Sequence, residues 1–194
     1  MKSILCNKNP YFCTKTKRSR KSVIGTVIHY TGNSGDTAES NARYFKGNDE
    51  RYAGAHIVID QKGIIIKCAN LTDICYSVGQ DHRSGRKGEA HFFGNLRNAN
   101  TVSIELCDIV DKAPSDKMVI ALSRVLKWID RYCPNNKYIV RHWDVNGKDC
   151  PFPMTGNGNK KWKALHDRVS RIYGKNRCEM SYVFTTNSVF INPL

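Results

Sequence analysis

Residues 101–108 read TVSIELCD, and this strict alternation of apolar and polar side chains predicts a β-strand that buries one face. The even-numbered positions from Val102 to Leu106 would face the core, and Glu105 would lie on the opposite face. A glutamate on such a strand is most often a solvent-exposed residue. The alternative is a site that needs a carboxylate, so the groups that lie beside Glu105 decide its role.

Four further segments have the composition of strands. Residues 23–30 (VIGTVIHY) and 138–142 (YIVRH) are short apolar runs, and each has a histidine at or next to its end. Residues 54–60 (GAHIVID) and 64–68 (IIIKC) are separated by a turn that contains glycine, which predicts a β-hairpin.

The segments between these strands predict helices. Helical spacing of apolar residues occurs in residues 37–45, with Asp36 as the N-cap, within 115–134, and in 159–173. Residues 71–79 are predicted to begin as a short helix. Irregular alternation of strands and helices, with one hairpin, predicts an α/β fold in which helices flank a central mixed β-sheet.

Residues 141–154, RHWDVNGKDCPFPM, carry a possible metal site. His142 and Cys150 lie on either side of an Asn-Gly turn, and imidazole and thiolate are ligands that zinc prefers. Lys148 would favour the thiolate and could also face a developing anion. A histidine and a cysteine in a loop are commonly ordinary loop residues, and two ligands do not make a zinc site.

The third ligand that we predict is His29, because it ends a buried strand as His142 does. Three protein ligands with a fourth position for water are typical of catalytic zinc. Blue copper also uses two histidines and a cysteine with an axial methionine, and Met154 is the candidate for that alternative. His56 lies in a predicted strand, where it would be a packed residue or would face the substrate.

Activation of water by a metal also requires a general base and a donor to the developing oxyanion. Glu105 is the candidate base, because burial would raise its pKa towards neutrality. Lys148 is the candidate donor, because the ligand-bearing loop holds it near the metal.

The whole chain has 194 residues, a mass of 22.0 kDa and a net charge of +14. Basic residues cluster in segments 15–21, 83–87 and 160–177, which favours contact with a polyanion such as nucleic acid or an anionic wall polymer. Because the first two clusters contain no aromatic residues on which bases could stack, we rank nucleic acid low. The eight cysteines are expected to be mostly reduced, although Cys6 and Cys13 could form a local pair or bind metal.

Four motifs in order resemble one family. VIHYTGN (27–33), GAHIVIDQKG (54–63), NANTVSIELC (98–107) and RHWDVNGKDCP (141–151) are similar to zinc-dependent N-acetylmuramoyl-L-alanine amidases of the type shared by phage endolysins, bacterial autolysins and peptidoglycan recognition proteins. The resemblance implies that His29, His142 and Cys150 bind one zinc ion. It also implies that Glu105 and Lys148 are catalytic.

The same resemblance implies that the chain cleaves peptidoglycan between N-acetylmuramic acid and L-alanine. Some phage members carry a tyrosine just before the hairpin histidine, but this chain has Ala55 there, so it resembles the glutamate-using branch. The alternative is a recognition module that binds peptidoglycan without cutting it. Relatives of that kind lack the cysteine that Cys150 supplies.

These patterns also predict the organisation of the chain. We expect a basic lead-in segment over residues 1–22, the zinc amidase domain over 23–175, and a tail or the stub of another module over 176–194. The sequence has no apolar stretch typical of a signal peptide or a membrane span. We therefore expect synthesis in the cytoplasm and action on the cell wall after release, with the help of a holin or of lysis.

Overall fold

The computed structural model describes residues 1–79, 90–156 and 159–173. Most of its strands form one central sheet, and helices cover both faces of that sheet. The strands are β1 (Lys2–Ser3), β2 (Cys13–Lys17), β3 (Gly25–Tyr30), β4 (Ile57–Ile59), β5 (Ile65–Lys67), β6 (Asp73–Cys75), β7 (Thr101–Leu106) and β8 (Tyr138–Arg141). The α-helices are α1 (Ala38–Gly47), α2 (Asp116–Tyr132), α3 (His142–Asn146) and α4 (Asn159–Tyr173), and short 3₁₀ helices span Arg20–Ser22, Asn98–Asn100 and Phe152–Met154.

The six-stranded sheet has the order β1-β5-β4-β7-β3-β8. Strands β4, β7, β3 and β8 are parallel, β5 is antiparallel to β4, and β1 is parallel to β5. The predicted hairpin and the predicted mixed sheet are thereby confirmed. Because the parallel strands share one direction, their carboxyl ends meet at one edge of the sheet.

One face of the sheet packs on α2 and α4. The even-numbered residues of β7 are fully buried there, as the alternation in the sequence predicts. Apolar residues at helical spacing supply the other side of this core, and those that pack against it are Met118, Leu122, Val125, Leu126 and Ile129 of α2 and Trp162, Leu165 and Val169 of α4. The opposite face carries His29 and Glu105, and α1 covers only the part of it over β4 and β5.

Several local predictions differ from the structure. Residues 71–79 contain strand β6 rather than a helix, because they pair with β2, which lies far away in the sequence. The N-cap of α1 is Thr37, whose side chain accepts a hydrogen bond from the Ser40 amide, and not Asp36. The Asn-Gly pair after His142 ends helix α3, with Gly147 in the left-handed conformation that helix ends favour.

Other predictions concern residues that the structure does not describe. The basic cluster at residues 83–87, the tail at 176–194 and the end of the 160–177 cluster lie outside the described residues. The lead-in segment 1–22 contributes β1 to the central sheet and β2 to a two-stranded sheet with β6.

Within the described residues, every helix is too short or too polar to cross a lipid bilayer.

A buried ion pair fixes the corner between β8 and α3. The Arg141 guanidinium donates to both carboxylate oxygens of Asp144 at 2.7 and 3.0 Å, and their side chains are only 2% and 7% exposed. The same carboxylate accepts the backbone amide of Arg141 at 2.8 Å. Arg141 also donates to the Met154 carbonyl, so this corner is joined to the loop that carries Cys150.

Replacement of Asp144 by alanine is expected to destabilise the domain by about 3–5 kcal/mol, because it leaves the Arg141 guanidinium buried without its counter-ion. Urea denaturation of the two proteins measures the difference. Asp111→Ala, which alters an exposed aspartate, is the matched control and should change stability little. Equal midpoints for Asp144→Ala and the parent protein would show that the ion pair does not hold the corner.

Candidate metal centre

Three buried side chains converge at the carboxyl edge of the parallel strands. His29 lies near the end of β3, His142 follows β8 directly as the first residue of α3, and Cys150 is in the loop after α3. One ligand atom from each lies within 4.8 Å of the others. The Cys150 Sγ atom is 3.7 Å from Nδ1 of His29, and the two imidazole rings have centroids 4.7 Å apart.

These three residues fit a zinc ion. Tetrahedral zinc with bonds of about 2.0 Å to nitrogen and 2.3 Å to sulfur separates its ligand atoms by less than roughly 4 Å, close to the spacing here. Burial lowers the pKa of His29 well below its usual value, so the imidazole stays neutral and can donate a lone pair. Burial, together with the nearby Glu105, raises the pKa of the Cys150 thiol to about 12, which favours the protonated thiol. A bound cation would favour the thiolate instead.

The orientation of His142 is set by a backbone carbonyl. Its Nε2 lies 3.2 Å from the Val78 carbonyl oxygen, and donation of that N–H leaves the Nδ1 lone pair as the one suited to a metal. The Asn146 side chain donates to the same carbonyl at 2.7 Å and accepts the Lys148 amide at 3.1 Å. Asn146 thus positions both His142 and the backbone of Lys148.

These supporting groups could not be identified from the sequence. Val78 acts through its backbone, which leaves no signal in the sequence, and Asn146 was interpreted only as part of a turn. The backbone of Tyr30 also acts on Cys150, because it opposes the rise that burial causes in the pKa of this thiol.

Asn146→Ala is expected to weaken zinc binding by about 10- to 100-fold, as loss of a group that orients a ligand typically does. Competition with a fluorescent zinc chelator measures the affinity. The control is Asn135→Ala, which removes an exposed asparagine that precedes β8. It should leave the zinc affinity unchanged. Equal affinities for Asn146→Ala and the parent would show that Val78 and His142 keep their places without this side chain.

Glu105 stands beside the three ligands. It is paired in register with His29 on the adjacent parallel strand, so both side chains lie on the same face of the sheet. Burial raises its pKa to about 7, the nearby Lys148 charge opposes that rise, and Asp36 adds to it. Among the described residues, none donates a hydrogen bond to its buried Oε2 atom, which contrasts with a glutamate on a solvated strand face.

Lys148 is exposed at the margin of this cluster. Its positive charge opposes the rise that burial causes in the pKa values of Glu105 and Cys150, and it adds to the lowering of the His29 pKa. A cation at the open side of a buried carboxylate and a thiolate can attract an anionic group of a ligand.

Two other candidates lie away from the cluster. His56 is fully buried; its Nδ1 accepts the Ser103 amide at 3.1 Å and its Nε2 is 3.1 Å from the Asp73 carbonyl oxygen. Burial lowers its pKa to about 3, so His56 is a packed histidine that does not face a substrate. Met154 packs in the hydrophobic core against α2 and α4, which removes the axial ligand that the copper alternative needs.

Comparisons with known proteins agree with this arrangement. The sequence model described as N-acetylmuramoyl-L-alanine amidase matches residues 19–153. The N-acetylmuramoyl-L-alanine amidase BlyA of Bacillus subtilis is 31% identical over 176 residues, covering 84% of this chain and 45% of BlyA. The chain therefore spans about half the length of the curated relatives it matches.

Solved structures show the same fold. The structure of PlyL has a TM-score of 0.63 at 20% identity and covers 87% of this chain and 94% of its own. The catalytic domain of PlyG has a TM-score of 0.64 at 21% identity and covers 97% of this chain and 98% of its own. At such identities the likeness concerns the fold alone, whereas the sequence match extends over most of the chain. The chain belongs to the N-acetylmuramoyl-L-alanine amidase family.

Proposed function

We propose that this chain is a peptidoglycan hydrolase that cleaves the amide between the lactyl group of N-acetylmuramic acid and L-alanine. Its cofactor would be one zinc ion, held by His29, His142 and Cys150. The convergence of these three side chains beside Glu105, a half-buried residue whose Oε2 atom is buried, is the observation that carries the proposal. Amidases of this family typically depend on zinc, and the donor set suits that metal.

When bound, zinc supplies a water of lowered pKa and polarises the carbonyl of the scissile amide. The Glu105 carboxylate takes a proton from the attacking water and returns it to the nitrogen of the departing L-alanine. Burial raises the pKa of Glu105 to about 7, and the charge of a bound metal would lower it, so the carboxylate that acts as the base is present at neutral pH.

Lys148 would stabilise the negative charge that develops on the carbonyl oxygen of the substrate. Lys148→Ala is expected to reduce kcat by about 100- to 1,000-fold, with a smaller change in KM, because the interaction strengthens as the charge develops. Steady-state hydrolysis of a soluble muramoyl-peptide measures both constants. Lys62→Ala removes another exposed lysine and should retain the parent values. A change confined to KM would assign Lys148 to substrate binding alone.

The reaction itself is tested on purified peptidoglycan. An amidase releases stem peptides with a free L-alanine amino group and leaves muramic acid with a free lactyl carboxylate. Mass spectrometry of the products identifies both ends, and removal of zinc with a chelator should stop the reaction until zinc is restored. Binding to the wall without any release would favour the recognition module, although the presence of Cys150 supports the enzyme.

The basic surface supports a further part of the proposal, which is contact with anionic wall polymers after release from the cytoplasm. The net charge of +14 would raise the concentration of the enzyme at such a surface. Arg18 does not contribute to it, because this side chain is buried and donates to the carbonyls of Leu71 and Thr101. That this surface binds wall polymers and not nucleic acid stays a prediction.

A further inference from the structure

Four cysteines outside the metal centre have a regular arrangement. Six residues separate Cys6 from Cys13, and six residues also separate Cys68 from Cys75. The chain after β1 runs alongside the chain after β5, so the first cysteine of one segment meets the first of the other, and the second meets the second. All four are free and buried.

The pair Cys13 and Cys75 faces across the two-stranded sheet. These residues are directly opposite in the antiparallel register of β2 and β6. The Tyr76 amide donates to the Phe12 carbonyl at 3.1 Å, which places the cysteines at a position where the partners do not bond each other through the backbone. At such positions the Cα atoms are about 4.5 Å apart, within the range that a disulfide spans.

The pair Cys6 and Cys68 lies where the chain after β1 continues beside the chain after β5. The Cys6 amide donates to the Cys68 carbonyl at 2.8 Å, in continuation of the parallel pairing of these strands. The Cys6 thiol donates to the carbonyls of Ile4 at 3.2 Å and Ala42 at 3.5 Å. Attack on the oxidant by either cysteine of this pair leads to the same bridge.

The four thiols form two pairs rather than one metal site. Among the described residues, the only group of three or more possible ligands that converge on one point is the cluster of His29, His142 and Cys150. Cys6 and Cys13 each lie beside a cysteine of the other segment, which favours these two pairs over the local pair of Cys6 with Cys13.

We propose that a low-molecular-weight disulfide such as oxidised glutathione converts these pairs to two disulfides, Cys6–Cys68 and Cys13–Cys75. In the first pair, the Cys6 thiolate attacks one sulfur of oxidised glutathione, forms a mixed disulfide and releases one glutathione thiolate. Cys68 then loses its proton and attacks the Cys6 sulfur, which expels the second glutathione. Each protein bridge thus gives up two electrons and two protons, and these convert one oxidised glutathione to two reduced molecules.

Oxidation would tie the first 17 residues to the rest of the domain. This segment is held by a two-residue strand, β1, and by the small β2–β6 sheet, so it can open locally and admit the oxidant. Both bridges close long stretches of chain, which restricts the unfolded state and stabilises the fold. The domain would be more resistant to unfolding in oxidising surroundings than in reducing ones.

The test uses the zinc-loaded full chain, incubated with oxidised or with reduced glutathione, then denatured, alkylated and digested. After oxidation we expect two cross-linked peptide pairs, Cys6 with Cys68 and Cys13 with Cys75, and alkylated Cys107 and Cys133. The melting temperature should rise by roughly 5 °C or more relative to the reduced protein. The single variant Cys13→Ala should retain the Cys6–Cys68 bridge and lose part of the rise.

Cys133→Ala is the control, because Cys133 is buried at the end of α2 and belongs to neither pair. It should form both bridges. Full alkylation of the four cysteines after oxidation, or bridges that join them in any other way, would overturn the proposal. So would a second zinc ion per chain that is lost in Cys13→Ala, because the thiols would then be metal ligands.

Discussion

Glu105→Gln is expected to hydrolyse peptidoglycan about 1,000-fold more slowly than the parent protein and to bind zinc equally well. The amide keeps the size of the side chain but cannot take the proton of the attacking water, and general base catalysis is commonly worth about 10²–10⁴-fold. The zinc content is preserved because Glu105 lies beside the three ligands and is not one of them. The release of L-alanine amino groups from purified wall measures the rate, and elemental analysis measures the metal.

The control for this variant is Glu50→Gln, which makes the same chemical change at an exposed glutamate and should retain full activity. Melting temperatures of both variants establish that the fold is intact, since removal of a charge from a buried carboxyl position should not destabilise it. Undiminished hydrolysis by Glu105→Gln would remove this residue from the proposed mechanism, whatever its position beside His29.

A second large effect is expected for Cys150→Ser, which should lose zinc and activity together. The serine hydroxyl is a poor substitute for a thiolate, and it leaves two imidazoles that hold the metal without an anionic partner. Because loss of a group that merely orients a ligand costs about 10- to 100-fold in affinity, loss of the ligand itself should cost at least about 100-fold. Zinc stoichiometry after gel filtration and chelator competition measure the change.

Cys133→Ala is the matched control for this experiment as well, because it removes a buried thiol that is not one of the candidate zinc ligands. It should keep one zinc ion per chain and normal hydrolysis. An unchanged zinc stoichiometry in Cys150→Ser would contradict the ligand assignment, and retention of activity with loss of zinc would contradict the metal dependence.

The main elements of the fold could be predicted from local patterns. Alternation in 101–108 and the apolar spacing in α2 and α4 each reflect burial of one face, and such periodicity survives in the sequence. Residues 71–79 were assigned wrongly, because β6 exists through pairing with β2 and not through its own composition. Pairing between distant segments is a property of the folded chain, which short windows of sequence do not contain.

The candidate site also has parts that the sequence predicts and parts that it does not. His29 and His142 could be brought together from sequence because both end strands, and parallel strands that are neighbours deliver their last residues to one edge. The roles of the Val78 carbonyl and the Tyr30 backbone could not be predicted from sequence, because almost every residue carries the same backbone groups. The resemblance to known amidases identified the ligands, but the contacts that orient them depend on three-dimensional packing.

Strand β1 has a consequence for the behaviour of the chain at high concentration. It contains only Lys2 and Ser3, yet it occupies the outer edge of β5, where Lys2 is paired with Ile66. Without it, β5 would offer unpaired amide and carbonyl groups beside the exposed Ile64 to any neighbouring molecule. A short, charged edge strand is a poor template for the addition of another chain, so these few residues protect the sheet against aggregation through its edge.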